Sequence, residues 1–106
     1  MAKWRKRFAA WQAAKQPVSV DEVESILHRV FGDRVCEHEG TSHRWTVKVP
    51  ELADQDEDFK FGEIGIPVKS GQYVKGIYLQ IAYQAATMLG LPSEEETDEA
   101  EEDDEE

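Results

Sequence analysis

Ser42, His43 and Arg44 set a hydroxyl, an imidazole and a guanidinium in succession at the head of the run Trp45-Thr46-Val47-Lys48-Val49. Of the three, His43 is suited to moving a proton, because an imidazole titrates close to neutral pH and serves as base or acid. Cys36, His38 and His43 also offer three zinc-type ligands across a hairpin. Their spacing matches no familiar zinc pattern and paired cysteines are absent, so neither a metal nor another cofactor is expected.

The elements that must position these groups are readable from periodicity. Trp4, Phe8, Trp11 and Ala14 recur at helical spacing between lysines and arginines, which predicts a basic amphipathic helix over 3–15, ended by Pro17. Such a helix either packs its tryptophans on the domain or meets phosphate or a membrane surface. Ser19-Val20-Asp21-Glu22 fits a capping box, Val18 and Val23 a hydrophobic staple, and Val20, Val23, Ile26, Leu27, Val30 and Phe31 one buried stripe. A helix over about 20–31 follows, with Gly32 suited to the left-handed conformation after its end.

Arg34 to Glu39 and His43 to Val49 read as an antiparallel hairpin across Gly40. Pro50 closes the second strand, Glu51 to Asp58 reads as a solvated acidic loop, and Phe59 to Pro67 as a third strand. Ser70-Gly71 marks a turn before a helix over about 72–89, with a core face of Val74, Ile77, Ile81, Ala85 and Met88. Tyr78, Leu79, Ala82, Tyr83 and Ala86 make this helix apolar beyond that face, so the N-terminal helix or a second copy in a homodimer should cover it. The expected fold class is α+β: a three-stranded antiparallel sheet with two helices on one face (α-β-β-β-α), an extra N-terminal helix over 1–17, a domain over 18–92 and a disordered acidic tail over 93–106.

The formal charge of -11 is unevenly placed. All twelve Lys and Arg lie in residues 1–92 beside twelve acids, and the other eleven acids fall in residues 94–106. The body is therefore neutral, and overall charge does not exclude a nucleic-acid partner. Cys36 is the single cysteine, so no intrachain disulfide forms. Without an apolar leader or a run of transmembrane length, a soluble cytoplasmic protein with no membrane partner is expected.

The order helix, three strands, helix is that of the double-stranded-RNA-binding domain, and the chain resembles the HicA-like toxin family, small ribonucleases of toxin-antitoxin pairs. The likeness rests on Val18 to Val23 with Ile26-Leu27, on Gly40-Thr41-Ser42-His43, on Ile66-Pro67-Val68-Lys69-Ser70-Gly71, and on the helix that follows. It covers most of residues 18–91. The resemblance implies an RNA-binding, metal-independent ribonuclease with His43 as catalytic residue and RNA and an antitoxin protein as partners. Ser42, Arg44, Lys69, Gly71 and Lys75 are then its RNA-binding residues.

Metal-free RNA cleavage needs a base for the 2′-hydroxyl proton, an acid for the leaving oxygen, and cations for the charge developing on phosphorus. Arg44, Lys69 and Lys75 are the candidate cations, and backbone N–H groups at the start of the last helix are further anion donors. The site should form where the second strand begins and the last helix starts. Strict alternation gives another reading of His43, because it places the residue on the Trp45–Val47 face as a packed core histidine. The residues alone leave open a binding module of the same fold that holds RNA or a protein without cutting.

Overall fold

The structure is a computed structural model that describes residues 3–38 and 43–91, apart from the side chains of His43 and Asp58. Gly40, Thr41 and Ser42 lie outside the described residues, as does the expected acidic tail. The chain is mixed α+β, with three helices, a three-stranded antiparallel sheet and a small two-stranded ribbon among the described residues.

The N-terminal segment forms α1 (Lys3–Ala10) and then tightens into a 3₁₀ turn (Trp11–Ala13), ending earlier than the continuous helix expected to residue 15. Trp4, Phe8 and Trp11 are buried in the same core as the rest of the domain, so this segment belongs to the packed body. Its next residues form β1 (Val18–Ser19), which leads directly into α2 (Val20–Phe31). The serine half of the expected capping box is present: Ser19 Oγ accepts a hydrogen bond from the Glu22 backbone N–H at 3.3 Å. Val23, Ile26, Leu27, Val30 and Phe31 form the buried stripe. Gly32 then takes φ 59° and ψ -126°, a mirror-extended conformation rather than the expected left-handed helical one.

β2 (Val35–Glu37), β3 (His43–Lys48) and β4 (Glu63–Pro67) form the sheet in the order β2-β3-β4. Val47 pairs with Val35 and Ile64, and Trp45 with Glu37 and Ile66. Alternation then buries Trp45, Val47, Ile64 and Ile66 on one face, in the core shared with the stripes of the helices. Thr46, Lys48 and Glu63 fall on the other face. β4 starts later than the strand expected from Phe59, because Phe59 is buried in a 3₁₀ turn (Glu57–Phe59) and a positive-φ Gly62 intervenes.

The acidic loop is anchored at both ends. Leu52 and Phe59 are buried, and Arg34 grips Glu51 with two hydrogen bonds of 2.8 and 2.7 Å while also donating to the Lys48 carbonyl.

β5 (Tyr73–Val74) pairs antiparallel with β1, Val18 opposite Val74 and Ser19 opposite Tyr73. This ribbon sets the entry of α2 beside that of the last helix. Tyr73 and Val74, expected as helix, are used in it, and α3 runs from Gly76 to Leu89 with Lys75 as N-cap. Leu91 N–H bonds to the Ala86 carbonyl at 2.8 Å and Gly90 N–H to the Thr87 carbonyl at 3.1 Å, with Gly90 left-handed, the Schellman arrangement.

The expected core face of α3 holds at Ala85 but not at Ile77 or Met88. Leu79, Ala82, Ala85 and Ala86 are buried, whereas Ile77 and Met88 are 54% and 41% exposed. In a helix apolar nearly all round, periodicity does not fix the phase, and three alanines allow the close approach that places this side inward. The N-terminal segment covers part of the remaining apolar surface, while Ile77 and Met88 stay exposed. Phe8 lies 5.0 Å from the Tyr83 ring, and Gln80 Nε2 donates to the Ala14 carbonyl at 2.7 Å.

A candidate phosphate-binding pocket beside the start of the second long strand

The last helix begins where it does because of its neighbour. A Cβ on Gly76 would meet the Ala14 carbonyl oxygen at 2.6 Å, so only glycine admits this approach. Lys75, one residue earlier, is thereby fixed at the helix entry. On its other side the chain makes a tight turn: Gln72 N–H and Tyr73 N–H both bond to the Lys69 carbonyl, and Lys69 N–H returns to the Tyr73 carbonyl. Ser70 and Gly71 occupy positive φ, 56° and 69°, at its tip. Lys69 and Lys75 thus flank the hairpin that feeds α3.

Together with Pro67, Val68 and Tyr78 they line a shallow pocket of about 200 Å³. Its wall is chemically two-sided: a proline, a valine and a phenol ring give apolar surface, and two ammonium groups give positive charge. Among the described residues neither lysine forms an ion pair. The acids nearest the sheet are engaged elsewhere, Glu37 with Arg44 at 3.0 Å, Glu63 with Lys48 at 3.0 Å and Glu51 with Arg34 at 2.7 Å. An anion carrying a planar ring fits such a wall better than a cation.

His43 reaches this region through the backbone. It pairs with Pro67, a wall of the pocket, while Trp45 pairs with Ile66. Two steps on β3 therefore match one on β4, a bulge at Arg44.

The other expected site residues are distributed as follows. Lys69 and Lys75 converge on the pocket. Gly71 does not line it, since its positive φ serves the turn, and no atom approaches a Cβ built there within 4 Å. Arg44 turns to the β2 side, donating from Nε to Glu37 Oε2 at 3.0 Å with its guanidinium 5.5 Å from the Trp45 ring centroid. Ser42 lies outside the described residues. Tyr78 was legible only as apolar surplus, although its place three residues after Lys75 puts both on one side of the first helical turn.

Hydrogen bonding moves three ionisable groups. The paired hydrogen bonds from Arg34 pull the Glu51 carboxyl down to about 2, and Glu51 in turn raises the Arg34 guanidinium. The hydrogen bond to Glu63 raises Lys48. His38 Nε2 and Thr46 Oγ1 are 2.9 Å apart on the outer sheet face. No group of three His, Cys, Asp or Glu side chains among the described residues is arranged to hold a metal ion. No helix among them is long and apolar enough to cross a membrane.

Comparison of the chain with family models, with curated proteins and with solved structures returned no match.

Proposed function

We propose that the protein binds RNA at the Lys69–Lys75 pocket and cleaves it with His43 as the proton-transfer group, in the manner of a HicA-like ribonuclease. The single observation that carries this reading is that Pro67, the cross-strand partner of His43, is a wall of the pocket holding both lysines. The order α2, three antiparallel strands, α3 supports a double-stranded-RNA-binding-like arrangement. In the proposed reaction His43 takes the 2′-hydroxyl proton as that oxygen attacks the adjacent phosphorus. Lys69 and Lys75 offset charge on the non-bridging oxygens, and the leaving 5′-oxygen takes its proton from water. The products are a 2′,3′-cyclic phosphate and a 5′-hydroxyl. A small antitoxin protein covering the pocket is the partner this reading implies.

A second reading, RNA or protein binding without cleavage, draws on the pocket wall itself. Among the described residues it carries lysines and a tyrosine but no carboxylate, thiol or imidazole to act as a second proton-transfer group. Tyr73 and Ile77, 48% and 54% exposed on either side of Lys75 in sequence, suit a protein partner such as a second copy. The two readings separate in one experiment: full-length protein is incubated with end-labelled RNA in chelator, and both bound and cut RNA are scored. Salt-dependent binding with intact RNA selects the second reading. Failure of both binding and cleavage removes the RNA proposal.

A further inference from the structure

We propose that residues 94–106 dock, within the same chain, on a basic cap built by α1 and the end of α2. The inference does not depend on the RNA reading, because it rests on where the charges lie. α1 exposes Lys3, Lys6 and Arg7 around the buried Trp4. The Arg5 and Arg29 guanidinium carbons lie 5.3 and 5.7 Å from the Trp4 ring centroid, which draws a cation of α2 into the same cluster. Among the described residues, Lys6, Arg7 and Arg29 form no ion pair. α1 has no acid in its first turn, so its cations add to the positive end of the helix dipole. Lys6, Arg7 and Arg29 therefore leave positive charge on this cap that no carboxylate among the described residues neutralises.

The chain supplies them in one place. Residues 1–92 balance twelve cations with twelve acids, and eleven further acids fall in residues 94–106. The point of departure favours the cap over the pocket. Ala14 meets Gly76 and Gln80 near the start of α3, and Phe8 meets Tyr83 further along it. Moving back from Ala14 towards Lys3 therefore moves forward along α3, towards Leu91, after which the acidic segment follows. Lys75 stands at the opposite end of this 14-residue helix, about 20 Å away at 1.5 Å per residue. A short connection keeps the carboxylates at an effective concentration on the order of millimolar near the cap. Several weak exposed pairs then act together, and salt dissolves them.

Zero-length carbodiimide cross-linking of the full chain at low ionic strength tests this, followed by peptide mapping of the monomer band. Seven lysines report on location: Lys3, Lys6, Lys15, Lys48, Lys60, Lys69 and Lys75. Cross-links from residues 94–106 should fall on Lys3 and Lys6 and vanish near 1 M salt, where screening acts within about 3 Å. Arg7→Gln, which leaves both reporter lysines in place, should lower their yield about twofold, the scale of one exposed pair. Cross-links on Lys69 and Lys75, an even spread over all seven lysines, cross-links confined to a dimer band, or none at all would each overturn the proposal.

Discussion

Gly76 meets Ala14 so closely that a Cβ on the glycine would lie 2.6 Å from the Ala14 carbonyl oxygen. That contact joins the end of the N-terminal segment to the first turn of α3, next to Lys75. The opposing atom is backbone, so relief requires one segment to move. Gly76→Ala should therefore destabilise the fold by about 1–3 kcal/mol, the usual scale of overpacking, despite alanine's better helix propensity. Urea denaturation measures it, and a change within about 0.5 kcal/mol would mean that the contact relaxes freely.

Trp11 is 2% exposed and packs edge-on against Phe8, which in turn covers Tyr83. Trp11→Ala removes a large side chain from this layer and should cost about 3–5 kcal/mol. It should also free the N-terminal segment to exchange its amide hydrogens sooner than those of α2. Equal protection of the two segments in the variant would contradict the proposed role of Trp11 as their anchor.

Acid should weaken the grip of Arg34 on Glu51. The carboxyl is lowered from 4.5 to about 2 in the folded protein, so the folded state binds its proton less readily than the unfolded state. The stabilisation is present above about pH 4.5 and fades as pH falls towards 2. Glu51→Gln should unfold at a lower denaturant concentration than the parent near neutral pH, with the gap closing in acid. A gap that stays constant down to the acid limit would show that the ion pair contributes nothing.

The two pocket lysines should act on RNA through charge. For single-stranded RNA, replacing each by glutamine should reduce the slope of log affinity against log salt by about 0.7, whatever the sequence. An unchanged slope in the Lys69→Gln, Lys75→Gln protein would exclude the pocket as the phosphate contact. The same substitutions should leave stability nearly unaltered, because both side chains are exposed.

How far the sequence foretold this depends on the length of each signal. α2 was legible to the residue, since Ser19, Glu22 and a stripe of six apolar positions all mark one element. The three sheet strands were legible in order but not in length, because buried Phe59 carries a strand-like signature into a 3₁₀ turn. β1 and β5 have two residues each, too few for alternation, and Val18 and Val74 had plausible helical uses instead. The nearness of Lys69 to Lys75 was legible because they flank a turn. The pairing of Arg44 with Glu37 was not legible, because a bulge leaves no mark in composition and cross-strand geometry is not encoded by spacing alone.

In the proposed reaction His43, whose backbone pairs with Pro67, moves protons during RNA cleavage. Single-turnover cleavage of end-labelled RNA by parent and His43→Ala proteins, side by side and with stability checked by urea denaturation, tests it most directly. The parent should cut to cyclic-phosphate ends, and the variant should lose about 10²–10⁴-fold in rate, the scale of general acid–base catalysis. A folded His43→Ala protein that cuts RNA as fast as the parent would contradict it.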